Sequence, residues 1–263
     1  MKKLTALATL AALLLPALVM AQSAFVGTWK ADLSNVQMPQ KPDRYLLDKG
    51  VFECLTCVPP VKVPADGQDH AVSGHPYFDT VAVKIIDDHT IQETDKKAGK
   101  TVTTSTTRVA ADGKTATFEF SDNSASNGAP IVGSGVATRV AAAPAGAHAT
   151  SGSWRTTKLN NISDNGLLVT YALDGSTLKM SNQLGQSYAA PLNGKDVPYT
   201  GDPGLTSVSV KRISANTVEE SDKRNGKVVW VGRMTVAADG RNLKVAWKDN
   251  LRGTSGSYAA VKQ

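Results

Sequence analysis

Shifting the chain by 127 places lays Gly67 to Phe120 on Gly194 to Trp247 without a gap, and roughly 20 of the 54 aligned pairs are identical. The anchors are VAVKII against VSVKRI, ETDKKAGK against ESDKRNGK, and VAADGK against VAADGR, together with the Gly74-x-Pro76 and Gly201-x-Pro203 turns. Further upstream, Gly27-Thr28-Trp29-Lys30 matches Gly152-Ser153-Trp154-Arg155 at a shift of 125. Such a chain must fold as two like units, so any architecture that needs all of it for one core is excluded. The stretch Ala141 to Ser151 (AAAPAGAHATS) has linker composition, and the expected division is 22–143 for the first unit and 144–263 for the second.

The residues before the first unit read as an export signal. Lys2 and Lys3 precede an apolar run from Leu4 to Leu18, and Val19-Met20-Ala21 offers a cleavage site after Ala21, giving a signal at 1–21. The formal charge of +6 includes both lysines. The remaining excess is dispersed over the chain, which argues against a nucleic-acid-binding tract. No later segment approaches 18 consecutive apolar residues, so no membrane-spanning segment is expected in the mature chain.

Within each copy the apolar residues alternate, and no window of 11 or more carries helical spacing with capping residues outside the signal. Strands are expected near 25–32, 44–54, 60–65, 80–87, 90–96, 101–110, 115–121 and 131–140. The second copy repeats them near 152–158, 167–173, 177–182, 187–192, 206–213, 217–223, 227–236, 242–248 and 256–262. Asp112-Gly113 and Asp239-Gly240 are expected to close hairpins as two-residue type I′ turns, and Lys97-Ala98-Gly99-Lys100 and Arg224-Asn225-Gly226-Lys227 close the preceding ones. A meander of about eight short strands loses both edges by closing on itself. The expected fold is therefore all-β: two tandem up-and-down antiparallel barrels.

A Gly-x-Trp motif on the first strand of such a meander resembles that of the lipocalin-like (calycin) barrels, and here it occurs twice, as Gly27-Thr28-Trp29 and Gly152-Ser153-Trp154. The resemblance is to exported bacterial domains of this type, although the helix that usually follows the last lipocalin strand is missing. It implies a Trp plugging the closed end of each barrel, covered by a basic side chain from the last strand, with Arg139 and Lys262 as candidates. It also implies a pocket for an apolar ligand, and no reaction.

Cys54-Leu55-Thr56-Cys57 is read as a local disulfide in an oxidising compartment. Two alternatives stay open. A redox-active pair would want a helix N-terminus, whereas Pro59-Pro60 and a strand follow. The spacing Cys54-x2-Cys57-x12-His70-x4-His75 also satisfies a two-Cys two-His zinc finger, but Pro64, Asp66-Gly67, Gly74 and Pro76 make a loop where a finger has a helix. The same loop, with Asp79, is the place where an enzymatic cluster would be sought.

The strand holding Thr101, Thr103, Ser105, Thr107 and Val109 on one face carries Val228, Trp230, Gly232, Met234 and Val236 on that face of the second copy. Pointing inward, this face makes the second barrel the one with the apolar cavity and leaves the first with a smaller or wetter interior. Pointing outward, Trp230 and Met234 mark an interface. Candidate ligand-binding residues are accordingly Trp230, Met234, Val245 and Trp247, with Phe118 and Phe120 at the matching positions of the first copy, unless all six merely fill small barrels. Glu93-Thr94-Asp95-Lys96-Lys97 and Glu220-Ser221-Asp222-Lys223-Arg224 are read as solvated hairpin ends. No nucleophile elbow, phosphate loop, calcium loop or His-Glu-x-x-His is present. These residues lead to the expectation of a periplasmic or secreted, non-catalytic protein that needs no cofactor and binds a small apolar or amphiphilic molecule. The alternative is a structural or protein-interaction module of the cell envelope. Neither ligand identity nor oligomeric state is legible.

Overall fold

Residues 24–124 and 128–263 are described by the computed structural model; the export segment 1–21 lies outside them. Apart from one 3-10 turn at Asp164–Gly166, the described regular structure is extended, as the period-two patterning and the Thr, Val and Ser content require. The strands are β1 (Gly27–Gln37), β2 (Asp43–Asp48), β3 (Val51–Cys54), β4 (Val61–Pro64), β5 (His70–Ala71), β6 (Thr80–Asp87), β7 (Thr90–Lys97), β8 (Lys100–Val109), β9 (Thr115–Asp122) and β10 (Ile131–Ala141). They continue as β11 (Gly152–Asn160), β12 (Leu168–Asp174), β13 (Thr177–Asn182), β14 (Ser187–Pro191), β15 (Asn193–Pro198), β16 (Ser207–Arg212), β17 (Thr217–Arg224), β18 (Lys227–Val236), β19 (Asn242–Asp249) and β20 (Thr254–Lys262). The hairpins β7–β8–β9 and β17–β18–β19 start and stop at positions 127 apart, so the repeat in sequence is a repeat of strands.

The strands form two antiparallel ten-stranded sheets, each curled into a nearly closed barrel. A bridge between Ser187 and Thr200 links the two ends of one sheet, and in the other a bridge between Asp66, just past β4, and Lys84 links that end to β6, the strand next to the short end strand β5. Ten strands replace the expected eight or nine. The expected strand 44–54 is two strands, because Lys49 and Gly50 both take positive φ and make a tight turn, and β5 and β15 are short additions. Ala98-Gly99 and Asn225-Gly226 also have positive φ at both positions, as type I′ turns demand. The Asp-Gly turns differ from expectation. Only Gly113 and Gly240 have positive φ, and each connection is longer, because the Asp112 and Asp239 carboxylates accept backbone N–H bonds from the residues two and three places on.

The hydrogen bonding does not follow the 143/144 division. β1 pairs with β12 and β20, and β11 pairs with β10 and β2. One barrel is therefore contiguous in sequence, β2 to β11, while the other is split, β1 plus β12 to β20. The cause lies in the segment expected to be a linker. Its last residues dock rather than span: His148 N donates to Leu47 O, Ser151 Oγ accepts from Leu47 N, and Thr150 and Ser151 are buried. With that segment folded onto the contiguous barrel, β11 continues β10 as a hairpin and occupies the place of a first strand. β1 is left to fill the equivalent gap between β12 and β20.

The split barrel has one continuous core containing Trp29, Leu178, Val208, Val210, Val236, Leu243 and Val245. The contiguous barrel has two, one around Leu47, Phe52, Val61, Val81 and Val83 and another around Val109, Ala116, Ala137 and Trp154, with Tyr45 packed against both. The space between these two clusters is the cavity considered next.

Candidate ligand cavity

The Gly-x-Trp tryptophan of each barrel is buried among that barrel's core residues. Trp29 is completely buried and donates Nε1–H to Phe25 O at 2.8 Å; Trp154 is 5% exposed and donates to Thr150 O at 2.9 Å. Lys262 covers the Trp29 ring at 5.0 Å and Arg139 covers Trp154 at 4.1 Å. Both basic residues come from the strand beside the tryptophan, so the exchange of first strands also decides which basic residue meets which ring. The glycine is required on two counts: Gly27 and Gly152 have φ of 132° and 118°, and a Cβ on Gly152 would lie 2.6 Å from the Arg139 guanidinium.

Beside Trp154 the contiguous barrel holds a partly open cavity of about 300 Å³. Tyr45, Phe52, Phe118 and Trp154 supply its aromatic walls, Ser105, Thr107, Thr150 and Thr156 its hydroxyls, and Asp43 and Glu93 its carboxyls. The hydroxylated face of β8 therefore points inward, and it makes the larger interior, the reverse of the expected distribution. Side-chain volume explains this. In the split barrel the positions of Thr107 and Val61 are held by Met234 and Tyr188, both buried, which fill the equivalent space. The alternation itself breaks near the hairpin ends, where bulges turn Val228 outward and bury Val229, so Thr101 and Val228 do not belong to the inner face.

The polar interiors differ in the same way. In the split barrel Tyr171 donates its hydroxyl to Met234 Sδ at 3.2 Å, and Tyr188 donates to Glu220 Oε2 at 2.6 Å. Tyr45, Glu93 and Thr107 occupy the corresponding places around the cavity and have no such side-chain bonds to one another.

Glu93 and Asp95, and their counterparts Glu220 and Asp222, correct the reading of these segments as solvated hairpin ends. β7 and β17 alternate so that Ile91, Glu93 and Asp95, and Val218, Glu220 and Asp222, face inward. Burial pushes all four carboxyls above the ordinary carboxylate range, and the proximity of Asp95 adds to the rise at Glu93. One oxygen of Asp95 and one of Asp222 have no hydrogen-bond partner. The missed signal was the period itself: an acid two places after a buried Ile or Val on a half-buried strand lies on the buried face.

The six expected ligand residues are dispersed. Phe118 lines the cavity. Met234 and Val245 are core, 2% and 1% exposed, so no outward Trp230/Met234 face exists. Trp247 lies over Gly256 and Phe120 over Gly133, outside the cavity wall. Trp230 is partly buried and lines a cleft of about 540 Å³ between the barrels, together with Asp222, Tyr199 and Arg224 from the split barrel and Tyr45, His75, Tyr77 and Phe78 from the contiguous one.

Cys54 and Cys57 form a disulfide, which removes both thiolates from any metal or free-thiol site. His70 Nε2 is 2.9 Å from Asp66 Oδ1, and His75 stacks on Phe78 at 4.4 Å with burial holding its imidazole below its ordinary value. The two histidines thus have separate local partners, and no group of three or more His, Cys, Asp or Glu side chains suited to a metal ion occurs among the described residues. Asp79 is engaged with the N–H of Ala98 at a hairpin end, and its carboxyl is lowered chiefly by that bond. No helix among the described residues is long and apolar enough to cross a membrane.

A scan against protein-family models and a search of curated proteins found no match to this chain.

Proposed function

We propose that the protein is a non-catalytic binder of a small amphiphilic molecule, held in the cavity of the contiguous barrel. The observation that carries this reading is a partly open space of about 300 Å³ with aromatic walls and convergent hydroxyls, the combination by which ligand pockets hold an apolar body and orient one polar end. The tryptophans covered by Arg139 and Lys262 are what the lipocalin-like resemblance implies, and they favour the same reading. Tyr45 borders both the cavity and the inter-barrel cleft. The disulfide and the N-terminal apolar segment favour an exported, periplasmic or secreted location. Native mass spectrometry of protein recovered after export is expected to show a co-purified small molecule. An apolar fluorescent probe is expected to bind the emptied protein and to lose affinity in Ser105→Leu, which fills the cavity. Retention of no molecule, together with no uptake of the probe, would sink the reading.

A further inference from the structure

Given that reading of the cavity, we propose that its ligand carries a positive charge: a small organic amine or ammonium group on an apolar body. The charged side chains on the cavity wall are Asp43 and Glu93, and no Lys, Arg or His is among them. Asp43 is paired with Arg252 and accepts a bond from Thr56 Oγ1. Among the described residues, none donates a hydrogen bond to the Glu93 carboxyl group.

Comparison of the two copies shows that this vacancy is particular to one barrel. Glu93 and Glu220 are equivalent, and the donor that satisfies Glu220 is the Tyr188 hydroxyl at 2.6 Å. Tyr188 sits opposite Met180 on the neighbouring strand, and the residue that sits opposite Cys54, the equivalent of Met180, is Val61. The acid is thus present in both barrels, whereas its internal donor is present only in the barrel whose interior is filled. In the other barrel, the exchange of Tyr for Val and of Met for Thr removes the donor and opens space beside the acid together.

An ammonium group entering that space supplies N–H donors and a positive charge, which together stabilise the carboxylate form of Glu93 against the burial that raises it, so the acid releases its proton to solvent as the amine binds. Charge-assisted bonds of this kind are about twice as strong as neutral ones. The faces of Tyr45, Phe52, Phe118 and Trp154 suit a cation and its apolar body alike. A neutral ligand supplies no charge to hold Glu93 ionised, and a carboxylate ligand adds a further negative charge to a wall that carries acids and no Lys, Arg or His.

The test is calorimetric titration of the full mature protein with octylammonium, 1-octanol and octanoate at neutral pH. Octylammonium is expected to bind at least about tenfold more tightly than octanol, and octanoate most weakly. Glu93→Gln is expected to abolish the preference for the amine while leaving octanol within a few-fold of wild type. Val61→Tyr is expected to abolish it as well, by restoring the internal donor. Octanol binding as tightly as octylammonium to the wild type would overturn the charge assignment and leave the cavity reading standing. An amine preference that survives in Glu93→Gln would do the same. Failure of all three compounds to bind would overturn the cavity reading itself.

Discussion

Arg139 and Lys262 occupy equivalent positions over Trp154 and Trp29 but are not equivalent in what they hold. The Arg139 guanidinium donates to three carbonyls, those of Gly113, Ala149 and Ser151, whereas the Lys262 ammonium donates to one, that of Ala24. A planar fork can satisfy several acceptors from one position and a point charge cannot. Arg139→Met is therefore expected to cost more than Lys262→Met, roughly 2–3 kcal/mol against roughly 1, because it strands carbonyls that line the docked segment. Urea unfolding monitored by tryptophan fluorescence checks the order, and equal midpoints for the two variants would contradict it. A basic side chain over each tryptophan is what the lipocalin-like resemblance implies, but which one meets which ring was not legible, since it depends on which strand lies next to which tryptophan.

At the scale of the strand, β7 and β17 each carry two acids into a barrel interior. Burial raises all four carboxyls in the folded state. The unfolded chain ionises them near their ordinary values of about 4, so it binds fewer protons than the folded chain above that pH. Their contribution to stability is thus fully present below about pH 4 and is lost as pH rises through the folded values. The expected outcome is a urea midpoint that falls between pH 5 and pH 9 in the wild type and falls less in Glu93→Gln/Asp95→Asn, the remaining slope belonging to Glu220 and Asp222. A midpoint that is flat in the wild type over this range, or that rises, would be incompatible with buried neutral acids. Strand boundaries were legible in the sequence to within a residue or two for β7, β8 and β9 and for their copies, because alternation and Gly-containing turns define them locally. The inward direction of Glu93 and Glu220 was written in the same alternation, and the charged composition of the segment obscured it.

For the whole molecule, the consequence of strand exchange is that each half of the sequence completes the other half's barrel. Thr28 and Thr170 are cross-strand neighbours with hydroxyls 2.8 Å apart. Without exchange, Thr28 would take the place of Ser153, opposite Arg44. Thr28→Cys/Thr170→Cys is accordingly expected to cross-link within one chain, and Thr28→Cys/Arg44→Cys is not; non-reducing peptide mapping reads both. The converse pattern would mean that each half closes on its own first strand. The barrels also meet through Tyr77, which donates to Asp202 Oδ1 at 3.0 Å, and through the Arg252–Asp43 pair, contacts that join distant segments and leave no trace in local patterning.

By itself the sequence determined most of the strands, the duplication and the nearness of Cys54 to Cys57. Each of these is set by a period, a turn or a spacing of a few residues, and such local preferences survive whatever the rest of the chain does. The tertiary structure alone decided which first strand enters which barrel and which barrel stays hollow. The first choice turns on the docking of His148 and Ser151 against Leu47. The second turns on the summed volume of side chains meeting across the barrel, where Met234 and Tyr188 fill a space that Thr107 and Val61 leave open beside Glu93.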